Sequence, residues 1–391
     1  MPVGRAAYRL ATILPAIALT AIGLTATGLT ATGLTATVCV ARPTDAPLDA
    51  TQLVNEIGLH VDAHPVRERP GWKAPRKILV AAVMHDQIAA WQQIAPQVKF
   101  IEISANTPAR DIAEADASIG VCSPDVVAQA RKLQWIQLLA AGVERCVQQP
   151  LIEERRPLIT NMQRVAGGSM AEHVLGLMLV LSRKLNVFLA AQQHAQWQAP
   201  EDNGLKLEDL EGKTLLVVGL GGIGTEVAKR AHAFGMHVIA TRASGHEGPD
   251  YVSYVGLPNE LPTLSKQADF IVNCLPLTPA TNGIFNAGFF ATMKPSAYFL
   301  SVGRGRSTVT ADLVAALKDH RIAGAGLDVT DPEPLPSDSP LWAMQNVIIT
   351  PHTSAYTPLA DEIRVAVVRE NLRRYVAGEP MLSVVDIDRG Y

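Results

Sequence analysis

Arg304 in "FLSVGRG", Glu333 in "DVTDPEP" and His352 in "VIITPH" each follow a short apolar run. An imidazole titrates near neutral pH and can hand over a proton, and a hydrogen-bonded carboxylate orients its ring and favours the imidazolium form. A guanidinium offers a rigid fork of donors to a carboxylate or a carbonyl oxygen. Together the three suit protonation of an oxygen on a small anionic substrate. Each also has a plainer reading: Glu333 could cap its loop, His352 could be a satisfied core histidine, and Arg304 between two glycines could be loop surface. Ligands of open α/β sheets collect beyond the carboxyl ends of the strands, so three such residues after consecutive strands point to one crevice.

A glycine pattern indicates what else the crevice would hold. "TLLVVGLGGIGTEVAKRAHAFG" places Gly219, Gly221 and Gly224 in G-x-G-x-x-G spacing, with Gly222 and Ile223 inside the turn, between an apolar strand and a helix. Gly219 permits a tight turn, Gly221 lets the backbone approach a pyrophosphate, and Gly224 lets helix and strand pack closely. The phosphates would sit at the helix N-terminus. The glycines could serve a tight turn alone, but the following strand "HVIATR" completes the order that dinucleotide binding requires. That strand ends in Arg242 rather than an acidic residue, with Thr241 and Ser244 beside it. A guanidinium there attracts a 2'-phosphate and can stack on adenine, which favours NADP(H) over NAD(H). With a dinucleotide bound, the chemistry narrows to hydride transfer.

The elements that must carry these residues are legible in outline. At 391 residues the chain exceeds the usual reach of one core, and 48% apolar residues supply two. The formal charge of -3 is dispersed, without the basic stripe that nucleic acid would need. The expected architecture is α/β, with two Rossmann-like parallel-sheet domains and the nucleotide-binding domain inserted into the substrate domain. Residues 76–168 and 356–391 are assigned to the substrate-binding domain and 169–355 to the NAD(P)-binding domain, after an apolar segment 1–42 and a polar linker 43–75 that has room for one short helix. Residues 169–188 read as one long helix buried between domains. The tail after Thr357 has helical spacing and could return to the first domain. Cys39, Cys122, Cys146 and Cys274 lack metal-binding spacing and read as reduced thiols. Segment 1–42, with Arg5 and Arg9 before an uncharged run that repeats "GLTAT", reads as a membrane anchor or signal, or as an overextended start. The dependence on soluble NAD(P)H places the catalytic part in the cytoplasm, with a tether to the membrane through that segment as the accompanying expectation.

The segments "VVGLGGIGTEVAKRAHAFGMHV", "CLPLTPAT", "GRG", "AGAGLDVTDPEPLPSDSPLW" and "NVIITPHTS" resemble the D-isomer-specific 2-hydroxyacid dehydrogenases over about residues 77–379. The resemblance implies interconversion of a 2-oxo acid and a D-2-hydroxy acid. Arg304 would bind the substrate, His352 would be the acid/base, and Glu333 would support it. It further implies that amides of Ala141, Gly142 and Val143 bind the substrate carboxylate. Cys274, Leu275, Pro276 and Thr281 would pass the cofactor, Asp328 would lie near the nicotinamide carboxamide, and the 169–188 helix would join a homodimer. Ser301 and Thr310 stand where the family often has asparagine and aspartate, which puts local loop support in question. Glu333 argues against formate dehydrogenase, which has glutamine there, and no regulatory domain like that of long phosphoglycerate dehydrogenases is expected after residue 391. The residues do not choose among glyoxylate, hydroxypyruvate and bulkier 2-oxo acids. A dinucleotide-sensing regulatory or scaffolding protein of the same fold is the rival reading.

Overall fold

Short runs rich in Val, Ile, Leu and Phe, with polar residues mainly at their ends, are what strands covered on both faces require. In the computed structural model, which describes residues 48–391, they form two parallel sheets. The first is built from β2 (Lys77–Val80), β3 (Lys99–Glu102), β4 (Ala117–Ile119), β5 (Trp135–Gln137) and β6 (Leu158–Thr160), in the order β3-β2-β4-β5-β6. Before it, β1 (Val61–Pro65) pairs antiparallel with the last strand, β14 (Pro380–Leu382). The second sheet holds β7 (Thr214–Val218), β8 (His237–Thr241), β9 (Tyr254–Gly256), β10 (Phe270–Asn273), β11 (Tyr298–Ser301), β12 (Gly324–Leu327) and β13 (Val347–Ile349). Its order is β13-β12-β11-β10-β7-β8-β9. The chain leaves β7 toward β8 on one side and resumes at β10 on the other, so a crevice opens where the order reverses.

The C-terminal helix Pro358–Ala377 begins where Thr357 accepts a hydrogen bond from the Ala360 amide, and ends at Gly378 in the left-handed region. It buries Ile363, Val367, Leu372 and Tyr375 in the core beneath the first sheet, with Tyr375 stacked on Trp135. The chain therefore returns to the sheet from which it set out.

Three expectations are corrected. The stretch expected as a polar linker to residue 75 is structured from residue 48. Asp49 caps the helix Ala50–Asn55 through a reciprocal capping box with Gln52, and Leu48, Leu53, Leu59 and Val66 are buried in the first core. The single helix expected over 169–188 is two helices, Gly167–Ser182 and Leu185–Gln193, bent by 71°. The break falls at the charged pair Arg183 and Lys184 inside the apolar run. Lys184 adopts a left-handed backbone and donates to the Tyr298 hydroxyl at 2.9 Å. Among the described residues no single helix is long and apolar enough to cross a membrane; segment 1–42 lies outside them.

The third correction concerns the thiols. Cys122 and Cys146 form a disulfide with a Cα–Cα separation of 5.6 Å. They are 24 residues apart in sequence, but they follow β4 and β5, adjacent parallel strands whose ends deliver both cysteines to the same sheet edge. Cys274 is free and buried, and Cys39 lies outside the described residues.

Candidate active site

The glycine turn begins directly after β7. Gly219 has φ +99°, a conformation that side chains rarely adopt, and a Cβ there would lie 3.1 Å from the Cys274 carbonyl oxygen. A Cβ on Gly224 would lie 2.2 Å from the Gly219 oxygen, so any side chain would push helix from strand. At Gly221 a Cβ would meet nothing within 4 Å, which leaves the turn approachable from outside. The helix Gly222–Ala233 starts here without a side-chain cap, so amides of its first turn, including those of Gly222, Ile223 and Gly224, lack intrahelical partners. That donor set suits a pyrophosphate.

The carboxyl end of β8 supports the turn. The buried Thr241 contributes its carbonyl oxygen, which accepts from the Gly219 and Leu220 amides at 3.2 and 2.9 Å. Arg242 is steadied by donating Nη1–H to the Glu247 carbonyl at 3.1 Å, and Ser244 is exposed beside it. Across the turn, Leu275 packs its side chain at Gly219 and its backbone at Gly303, where a Cβ would lie 2.6 Å from the Leu275 oxygen. Burial pushes the Cys274 thiol up to about 12, so it stays a neutral apolar group. Thr281 closes this loop by donating its hydroxyl to the Pro276 carbonyl at 2.7 Å.

Arg304, Glu333 and His352 leave three neighbouring strands, β11, β12 and β13. Their loops touch: a Cβ on Gly305 would collide with the Thr330 oxygen, and the Thr310 hydroxyl donates to the Asp331 carbonyl at 2.7 Å. His352 Nδ1 lies 3.0 Å from Glu333 Oε2, while Glu333 Oε1 accepts from the Thr330 amide at 3.0 Å. The carboxylate is thus pinned on one oxygen and meets the ring with the other, so Nε2 is the ring nitrogen free to face a substrate.

Arg304 reaches the first sheet. Its Nε–H donates to Glu144 Oε1 and its Nη1–H to the Gly303 carbonyl, at 2.9 and 2.8 Å. Its Nη2 lies so close to Gly142 that a Cβ there would be only 1.5 Å away. The residue-141–143 loop is shaped by Asn161, which donates to the Ala141 carbonyl at 2.8 Å, and by the buried Val143 that opens the helix Glu144–Val147.

The family's departures find local substitutes. Asn273, buried on β10, donates to the hydroxyls of Ser301 and Ser307 at 3.0 and 2.7 Å and accepts from the Leu275 amide, so loop support comes from the neighbouring strand. Thr310 ties the Glu333 loop through Asp331. Asp328 turns both carboxylate oxygens to the His352 loop, accepting from the Thr350 hydroxyl and from the Thr353 and Ser354 amides. Burial opposes its ionisation, and hydrogen bonds from Ser354, Thr350 and Thr353 outweigh it, holding the pKa below the ordinary value. His173, on the helix Gly167–Ser182, extends this network: its Nε2 is 3.0 Å from the Thr350 hydroxyl. The sequence reading missed Glu144, His173 and Asn273, none of which carries a motif that could have exposed it. Among the described residues no His, Cys, Asp or Glu group could hold a metal.

The family model for the NAD-binding domain of D-isomer specific 2-hydroxyacid dehydrogenases matches residues 175–354. A glyoxylate/hydroxypyruvate reductase A from Photorhabdus laumondii is 30% identical over 68% of this chain and 84% of its own length. The human glyoxylate reductase/hydroxypyruvate reductase is 31% identical over 66% of this chain and 78% of its own length. The crystal structure of a D-isomer specific 2-hydroxyacid dehydrogenase from Xanthobacter autotrophicus, in complex with NADPH and MES, superposes with a TM-score of 0.69 at 29% identity, over 82% of this chain and 100% of the other. With this fold, the glycine turn at the switch point and these relatives, the chain belongs to the D-isomer specific 2-hydroxyacid dehydrogenase family, whose members are NAD(P)-linked oxidoreductases of 2-oxo and 2-hydroxy acids.

Proposed function

We propose that the protein reduces a small 2-oxo acid, glyoxylate or hydroxypyruvate in the first instance, to the D-2-hydroxy acid, with NADP(H) preferred and NAD(H) as the weaker alternative. The observation that carries this reading is the meeting of Arg304 with Gly142, which puts a guanidinium against the loop expected to receive a carboxylate, next to the strand ends bearing Glu333 and His352. When bound, the dinucleotide supplies hydride to the substrate carbon. The helix N-terminus after Gly221 would hold its pyrophosphate, and Arg242, with Thr241 and Ser244 beside it, would receive the 2'-phosphate. Cys274, Leu275, Pro276 and Thr281 would line the cofactor through backbone and apolar surface, and Asp328, which shapes the His352 loop, would lie near its nicotinamide end.

On the substrate, backbone amides of Ala141, Gly142 and Val143 and the outer edge of Arg304 bind the carboxylate, and Arg304 draws charge toward the carbonyl oxygen. His352 then gives its Nε2 proton to that oxygen, while Glu333 stabilises the imidazolium beforehand and keeps Nδ1–H engaged. Oxidation runs the same transfers backward, with neutral His352 accepting the hydroxyl proton. We infer that a homodimer forms through the bent helix pair, whose Leu185 and Leu189 are exposed together with nearby Trp197; the need for NADPH favours the cytoplasm for the catalytic part, whereas the Cys122–Cys146 disulfide is a bond of oxidising compartments. A membrane tether through segment 1–42 is a separate proposal on which catalysis does not depend.

Steady-state assays of the full chain against glyoxylate, hydroxypyruvate and phenylpyruvate, each with NADPH and NADH, test the reading. Turnover is expected with at least one acid and a higher kcat/KM with NADPH, and Arg242→Asp should reverse that preference. Binding of NADPH without turnover of any 2-oxo acid would favour a dinucleotide-sensing role.

A further inference from the structure

We propose that Glu144 is a positioning residue for Arg304, and that it dictates which edge of the guanidinium is offered to the substrate. This inference rests on the role assigned to Arg304 above. A guanidinium can receive a carboxylate in two bidentate ways, along the edge formed by Nε and Nη2 or along the end formed by Nη1 and Nη2. Glu144 Oε1 accepts from Nε at 2.9 Å, so the first edge already faces a carboxylate. A second anion there would be repelled. The end remains, with Nη2 seated on Gly142 and Nη1 steadied by the Gly303 carbonyl. A substrate carboxylate or carbonyl oxygen is thereby directed to the end that lies on the amide loop.

The support of Glu144 fits this task. Its helix, Glu144–Val147, directly follows the residue-141–143 loop, and Cys146 in that helix is bonded to Cys122 at the end of the adjacent strand. Glu144 is therefore presented by an anchored element of the first sheet, whereas Arg304 belongs to the second. The two side chains are only 21% and 24% exposed, which shields the pair from the full screening that weakens surface ion pairs. The contact crosses the crevice, so it ties the orientation of Arg304 to the first sheet as well as to its own loop.

The test is a double-mutant cycle on the full chain with Glu144→Ala, Glu144→Gln, Arg304→Ala and the combined Glu144→Ala/Arg304→Ala variant, read as separate KM values for the 2-oxo acid and NADPH. Losing one hydrogen bond to a charged group should raise the KM for the 2-oxo acid in Glu144→Ala by roughly ten-fold, with the KM for NADPH nearly unchanged. Glu144→Gln, which keeps an acceptor for Nε–H, should recover most of the loss. In the Arg304→Ala background the Glu144→Ala change should cost nothing further. Additive losses, or an equal rise in both KM values, would overturn the proposal while leaving the function intact. Absence of turnover by the unaltered protein would overturn the function and this inference together.

Discussion

At the scale of single residues, the site is a set of side chains each fixed by one or two neighbours. His352 stands in a left-handed backbone with φ +54° and is held at Nδ1 by Glu333, so its second nitrogen has a defined direction. Replacing His352 by Gln preserves a polar side chain but removes the titrating proton donor. General acid catalysis is worth about 10²–10⁴-fold, so kcat should fall by that order while the Kd for NADPH, followed by nucleotide fluorescence, stays unchanged. Near-normal kcat would release His352 from its role. Arg304, Glu333 and His352 were readable in the sequence as candidates because each follows an apolar run of strand length. Glu144 was not, because its partner lies 160 residues away and no local pattern marks the meeting.

At the scale of elements, the disulfide joins the segments that leave β4 and β5, and with them the residue-141–143 loop and the helix after it. Closing a loop of 24 residues restricts the unfolded chain by about 3 kcal/mol in the chain-entropy account. A variant with both Cys122→Ser and Cys146→Ser should therefore melt several degrees below the oxidised protein, and its KM for the 2-oxo acid should rise because Glu144 loses its anchor. Identical melting curves for the two proteins would show that the bond contributes nothing. Strand and helix alternation was legible from periodicity, yet the break at Lys184 was not. A charged pair inside an apolar run is compatible with one helix or two, and the choice was made by Tyr298, which meets the Lys184 side chain from the neighbouring sheet.

At the scale of the whole molecule, partly buried and buried carboxylates tie the segments together and set its response to acid. Burial disfavours ionisation of Asp269, but Lys294 and the Thr214 amide outweigh it, leaving the pKa below the ordinary value. Glu370 is likewise opposed by burial and lowered overall by Arg373 and Arg374. A carboxylate whose folded pKa is depressed stabilises the fold above its unfolded pKa, about 4, and loses that contribution as pH falls through the folded value. Thermal midpoints should be level near neutrality and fall progressively below about pH 4. Asp269→Asn should start lower and fall less steeply on acidification. A slope in the variant equal to that of the parent would remove Asp269 from this account.

Sequence alone determined the class of the molecule: two parallel sheets, a glycine turn opening a helix, an arginine at the end of the following strand, and three polar residues delivered from successive strand ends. These follow from local physics, since strand burial, glycine backbone freedom and helix starts are governed by neighbours along the chain. Only the tertiary structure decided that Arg304 rests on Gly142 beside Glu144, that Asn273 supplies the support expected of residue 301, and that two cysteines bond. Each of those depends on which strands lie side by side and how two sheets face one another, which is settled by packing of residues far apart in sequence.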